Sequence, residues 1–159
     1  MARPIGHLTV AAVGRLREPH WQAAQDEYAR RLARYTDFRL VEVRDLVGKA
    51  LPDATAAMRE GEQLLAAAPR GSRIVLMTPE GRAMTSPELA EWLQGQLEQY
   101  GTLAFLIGGP VGFDAVTVAA AQERLALSRL TFPHELARVV LLEQLYRGFT
   151  ILRGEPYHK

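Results

Sequence analysis

An α/β fold, with a mainly parallel sheet and helices on both faces, is what this 159-residue sequence predicts. Three observations carry that prediction. Short apolar runs alternate with longer stretches of helical periodicity from one end to the other, the pattern of successive strand and helix units. One run, Thr102-Leu103-Ala104-Phe105-Leu106-Ile107, is apolar at almost every position, as a strand covered on both faces must be. It then breaks into Gly108-Gly109-Pro110-Val111-Gly112 before Asp114 heads a helical run from Ala115 to Arg124. A strand that ends in glycines and re-emerges as a helix is where α/β proteins place small ligands, beyond the strand's carboxyl end. Glycine there lets a ligand approach bare main chain. The spacing is not the dinucleotide fingerprint G-x-G-x-x-G, and no acidic strand end follows about 20 residues on. The loop therefore marks a small-molecule site, with a tight ligand-free turn as the alternative.

The elements follow in order. His7 to Val13 is β-rich and stops at Gly14, a first strand. Pro19 suits a first helical turn, after which Trp21, Ala24, Tyr28, Leu32 and Tyr35 recur at three- and four-residue steps. Arg30, Arg31 and Arg34 late in that helix suit its dipole as well as they would suit RNA phosphates. Phe38 to Val43 reads as the second strand. Asp53 is placed to cap an Ala-rich helix to Ala68, in which Gly61 is a weak spot. Arg73 to Met77 is a third strand, and Thr85-Ser86-Pro87-Glu88 has the spacing of a capping box for a helix to about Tyr100. After the glycine loop and its helix, Leu125 to Ser128 reads as a last short strand. Arg129 to Phe132 is a loop, and Pro133 opens a long helix with Leu136, Val139, Val140, Leu145 and Phe149 on its apolar positions. The chain closes on Arg153-Gly154-Glu155-Pro156-Tyr157-His158-Lys159. Without repeats, low-complexity segments or a credible linker, one domain over residues 1–159 is expected.

Composition narrows the function. The chain is 48% hydrophobic and 23% charged, the balance of a globular protein. No run has the length of a transmembrane helix and no signal peptide is evident, so no membrane partner and a cytoplasmic protein are expected. The absence of cysteine excludes disulfides, thiol catalysis and thiolate metal sites. His7, His20, His134 and His158 include no pair at metal-ligand spacing, so no metal is expected. There is no Walker A sequence and no nucleophile elbow. Glu135 and Glu143 are expected to be solvated or ion-paired. The net charge of +1 is unevenly spread. Residues 1–44 carry eight Arg against five acids and residues 124–159 six Lys/Arg against three, while the middle is acidic. Scattered solvated charge accounts for this; so does a polyanion-binding surface built from both ends.

The positive chemistry is collective. The segments at Leu76-Met77, at Gly108-Gly109 and from Leu127 to Phe132 meet at one carboxyl edge if the sheet is parallel. Main-chain groups and apolar side chains dominate them, which suits an adenine ring and a thioether or sulfonium better than a triphosphate.

Three separated motifs then carry a resemblance: Leu-Ile-Gly-Gly-Pro-Val-Gly at 106–112, Leu-Ser-Arg-Leu-Thr-Phe-Pro-His-Glu-Leu from 127, and the closing Arg-Gly-Glu-Pro-Tyr-His-Lys. With Glu60-Gly61-Glu62-Gln63-Leu64-Leu65 before the third strand, the chain resembles, over its whole length, the RlmH-type rRNA methyltransferases of the SPOUT (α/β-knot) superfamily. The resemblance implies methylation of N3 of a pseudouridine in 23S rRNA of the assembled ribosome, with S-adenosylmethionine as cofactor. It further implies a C-terminal trefoil knot and a homodimer built around it. Carried over, the cofactor site is Gly108 with Leu127, Ser128, Arg129, Leu130, Thr131 and Phe132, plus the end of the third strand. There the family has Leu and this chain offers Met77, or Leu76 in the other register. Candidates for handling the N3 proton are His134, Arg129, Arg138, Tyr157 and His158, with the last two expected to reach a partner's cofactor site; a frayed terminus is the alternative. The competing functions are a non-catalytic nucleotide-binding or ribosome-associated module and a flavodoxin-like redox domain.

Overall fold

The computed structural model describes residues 4–159. Strands β1 (His7–Val13), β2 (Asp37–Val43), β3 (Arg73–Ala83), β4 (Thr102–Ile107) and β5 (Glu123–Ala126) form one sheet in the order β2-β1-β4-β3-β5. Every neighbouring pair is parallel. The helices are α1 (Pro19–Leu32), α2 (Asp53–Ala67), α3 (Ser86–Tyr100), α4 (Ala115–Ala120) and α5 (His134–Leu152).

Side chains on successive strand residues point to opposite faces, so a two-faced core needs apolar residues at every position. That is what β1 and β4 supply. Leu8, Val10 and Ala12 join Leu103, Phe105 and Ile107 in a core completed by Leu32 after Tyr28 on α1, Leu93 and Leu97 on α3, and Leu141, Leu142, Leu145 and Phe149 on α5. Ala11 and Val13 join Ala104 and Leu106 on the other face, covered by Leu64 of α2, Val118 of α4 and Phe113 just before α4. The glycine loop thus emerges from the middle of a sheet buried on both sides.

The capping box of α3 forms as read: the amide of Glu88 donates to Thr85 Oγ1 and that of Thr85 to Glu88 Oε1. Four expectations are corrected. Asp53 is the first residue of α2 and not its cap; Pro52 holds the cap position, and Asp53 serves the helix dipole instead. Helix α1 stops at Leu32, and Tyr35 is buried just beyond it. Helix α4 ends at Ala120, and β5 begins at Glu123, two residues before the expected Leu125. The cause is Gln122, whose amide donates to the Ile74 carbonyl at 3.0 Å while its Oε1 accepts from the Ile74 amide at 2.7 Å. That double bond draws the chain onto the edge of β3 early, and Arg73 and Glu123 pair beside it at 3.1 Å. Lastly, Gly61 is not a weak spot. A Cβ there would stand 2.0 Å from Thr117 Oγ1, so the missing side chain is what allows α4 to lie on α2.

Candidate active site

The carboxyl edges of β3, β4 and β5 open on one pocket of about 930 Å³, a volume ordinary for a small-molecule site. Its walls are Leu76 to Glu80 within β3, Ile107 to Phe113 at and after the end of β4, Leu127, Ser128 and Leu130 to Pro133 in the loop after β5, and His134, Glu135 and Ala137 in the first turn of α5, with Val118 and Arg124 at the side. Two of the three corners are irregular by construction. Strand β3 keeps pairing with β5 across a break between Met77 and Arg82, which throws Thr78 to Gly81 out as a bulge. Leu127 to Pro133 belongs to no helix or strand, so its main-chain groups lie outside any ladder. Gly108 is tight for a different reason: a Cβ there would press on the Phe113 ring at 3.2 Å.

Most of the expected cofactor residues meet here. Gly108, Leu127, Ser128, Leu130, Thr131 and Phe132 all line the pocket. So do both residues of the register question: Leu76 is fully buried in the face toward α2, and Met77 is half-buried on the opposite face. Arg129 departs from the expectation; it is exposed and not part of the wall. Leu130 is 73% exposed at the rim, an apolar side chain with nothing over it. Phe113, Glu80 and Glu135 line the pocket without having been singled out as ligand residues. Charge on the wall is sparse: Glu80 and Glu135 against Arg124, with His134 at the first turn of α5. The wall suits a cationic, partly apolar ligand and lacks the cations a triphosphate requires.

Beneath the glycine loop lies Glu60, 2% exposed. Its Oε2 accepts from the Leu46 amide at 2.8 Å, while its Oε1 is buried without a partner and faces Gly109. Burial, with Asp45 adding repulsion, pushes its carboxyl above the usual range.

The proposed proton-handling residues do not cluster. His134 is at the pocket and exposed. Arg138 lies away from the pocket: 2% exposed, it donates to Glu42 Oε2 at 2.6 Å, Gln25 Oε1 at 3.1 Å and the carbonyls of Val13 and Gly14 at 3.2 and 2.9 Å. Its two Nη atoms tie α5 to α1, β1 and β2 while Nε is buried without a partner, and it does not line the pocket.

Tyr157 and His158 are ordered against α5 and do not fray. Helix α5 ends in a Schellman motif, with Gly154 at φ +65°, its amide bonded to the Ile151 carbonyl and that of Glu155 to Thr150. Tyr157 then donates to Glu143 Oε1 at 2.9 Å, its ring edge-on to Tyr146 at 4.7 Å, and Arg147 Nη1 lies 3.2 Å from His158 Nδ1. Glu143 also holds Arg147 at 2.6 Å, the ion-paired role expected of it. Burial first, then the bond to Glu143, raise the Tyr157 phenol far above its ordinary value, so it is a proton donor here and no base. These contacts fall about 9 to 15 Å along α5 from Ala137, the last residue of that helix at the pocket. The tail does not reach its own chain's pocket.

Among the described residues no group of three or more His, Asp or Glu is placed to hold a metal ion, and no helix is long and apolar enough to cross a membrane.

A parallel sheet with main-chain corners around a pocket at its carboxyl edge defines an α/β protein with a small-molecule site. Comparison with known proteins gives the family. The pattern described as "Predicted SPOUT methyltransferase" matches residues 7–158. The chain is 46% identical over 153 residues to a Geotalea daltonii protein named "Ribosomal RNA large subunit methyltransferase H", covering 95% of this chain and 98% of that one. It is 48% identical over 150 residues to an Anaeromyxobacter dehalogenans protein of the same name, covering 94% and 97%. A solved structure described as a probable methylase family protein from Haemophilus influenzae shares the fold, with a TM-score of 0.50 at 13% identity over 92% of this chain and 66% of that one. The chain belongs to the SPOUT methyltransferase family, alongside the proteins called ribosomal RNA large subunit methyltransferase H.

Proposed function

We propose that the protein methylates N3 of a pseudouridine in 23S rRNA of the large ribosomal subunit, using S-adenosylmethionine, and that it works in the cytoplasm on assembled ribosomes as a homodimer. The relatives' name supports the substrate class. The observation that carries the mechanism is the separation of parts: an open pocket on one end of α5 and an ordered, chemically equipped tail some turns away. One chain holds half of a reaction chamber, and a twin supplies the other half. The knot that the resemblance implies, in the C-terminal part of the one catalytic domain, belongs to the same reading.

The pocket fits the cofactor. Leu76, Met77, Ile107, Phe113, Leu127 and Phe132 offer an apolar cleft for adenine, the corners offer main-chain bonds, and Glu80 and Glu135 favour a cationic ligand. S-adenosylmethionine, when bound, supplies a methyl group on a sulfonium whose thioether is a good leaving group. What remains for the chain is alignment and the base. An imide N3–H titrates roughly two to three units above neutral, so forming its anion costs ~3–4 kcal/mol at neutral pH. His134 at the pocket rim and the partner's His158 are groups able to take that proton or hold the developing negative charge. Tyr157, its one hydroxyl proton held by Glu143, anchors the tail beside His158. Exposed Arg129 beside the pocket is placed for phosphate.

The test is transfer of tritium from labelled S-adenosylmethionine to naked rRNA, isolated large subunits and whole ribosomes, with the modified position mapped. Label at a pseudouridine N3 in whole ribosomes is expected. A non-catalytic ribosome-associated module would bind the particle and transfer nothing.

A further inference from the structure

Beyond the main-chain bonds that end α5, the tail has a side-chain partner outside that helix. Tyr35, just past α1, donates from its phenol to Glu155 Oε2 at 2.6 Å, across 120 residues of sequence. Tyr35 is buried, its ring stacked on Phe149 at 5.6 Å with the planes 12° apart, and the Arg153 guanidinium lies 4.8 Å over it. The phenol therefore sits on a fixed platform. Glu155 is the residue at which the Schellman motif of α5 releases the chain. Only Pro156 separates it from Tyr157, and a proline fixes its own φ, so the spacer is stiff. Fixing Glu155 therefore restricts where Tyr157 and His158 point, alongside their direct contacts with Glu143 and Arg147.

We infer that Tyr35 and Glu155 form a positioning clamp that aims the C-terminal tail, acting on methyl transfer through Tyr157 and His158 without touching substrate or cofactor. This rests on the reading that the tail completes a partner's site. A terminus is ordinarily loose unless tied down. Tying it concentrates two reactive side chains at one point, which is the effect of a short stiff linker on a tethered group. The bond contributes little to global stability, because Glu155 lies at the end of the chain, yet its loss leaves the aim of Tyr157 and His158 to their contacts with Glu143 and Arg147 alone. Burial first, then the bond to Glu155, raise the Tyr35 phenol to about 12, so it donates throughout the working pH range.

The experiment is steady-state methylation of ribosomes by full-length Tyr35→Phe, Glu155→Ala, Glu155→Gln and the Tyr35→Phe/Glu155→Ala double variant, beside a truncation lacking residues 157–159. Tyr35→Phe keeps the stacking and loses only the bond; Glu155→Gln keeps an acceptor. The clamp predicts at least a tenfold drop in kcat for Tyr35→Phe and Glu155→Ala, with KM and calorimetric Kd for S-adenosylmethionine, melting temperature and dimer content unchanged. Glu155→Gln stays near wild type, and the double variant is no worse than either single one, as expected for two halves of one interaction. Wild-type kcat in Tyr35→Phe alongside an inactive truncation overturns the clamp and leaves the tail's role standing. Losses in kcat, donor affinity and melting temperature that move together mark a general structural role and also overturn it. Full activity of the truncation overturns the reading of the tail itself.

Discussion

Arg138 Nη1, buried beneath α5, lies 2.6 Å from Oε2 of the more exposed Glu42, and the same guanidinium takes the carbonyls at the end of β1. That relationship decides what kind of residue Arg138 is. Replacing it with Leu leaves Gln25 and the carbonyls of Val13 and Gly14 without this donor, so a loss of about 2 kcal/mol in chemical denaturation is expected, within the range for leaving buried polar groups unpaired. Once folded at low temperature, the Arg138→Leu variant retains donor binding. A variant of wild-type stability without activity would return Arg138 to catalysis.

Helix propensity and packing give opposite signs at Gly61. In an isolated helix Gly61→Ala stabilises by about 1 kcal/mol. Against Thr117 it overpacks the contact between α2 and α4, and a destabilisation of about 2 kcal/mol is expected instead. The denaturation midpoint reads the sign directly.

The pocket is tested by Gly108→Val. The new side chain meets the Phe113 ring and fills the cleft between the β4 corner and the loop after β5. Calorimetric Kd for S-adenosylmethionine rises by at least tenfold, while the tail contacts, reported by Tyr157 fluorescence quenching or amide exchange, persist. Unchanged donor affinity would move the cofactor out of this pocket.

Glu60 gives a pH dependence with a definite sign. Its folded pKa is raised above the ordinary 4.5, so the folded state holds this proton more tightly than the unfolded chain. Its contribution to stability is present in full below the unfolded value and is lost as pH rises through the folded one. Glu60→Gln removes that loss. The stability of the variant relative to wild type therefore improves from pH 4 to pH 7, measured as the difference in unfolding free energy at each pH. A difference that is flat, or falls, contradicts the assignment.

Much of this was legible in the residues. The apolar density of Thr102 to Ile107 announces a central strand because a two-faced strand has no polar side to show, and the glycines after it announce the corner. Elements whose limits are set by tertiary bonds were not legible. Gln122 stops α4 and starts β5 through Ile74, and nothing local distinguishes it from any other polar residue. Gly61 looks like a flaw until Thr117 is seen against it. Arg138 illustrates the limit at the site: an arginine on a helix near a ligand loop has the same sequence signature whether it faces phosphate or the interior. The pocket's wall was legible because backbone corners come from strand ends. The tail's aim was not, since it depends on Tyr35, which sequence periodicity assigned to the face of α1.

The central claim is that the tail of one chain serves the pocket of another, and mixed dimers test it most directly. Gly108→Val chains, with a blocked pocket and an intact tail, are co-refolded with chains lacking residues 157–159. Each mixed dimer then holds one complete site if the tail acts across the dimer. A statistical mixture restores about a quarter of the wild-type methylation rate, since half the dimers are mixed and each has one of two sites. No recovery above that of the two parent dimers would contradict the account.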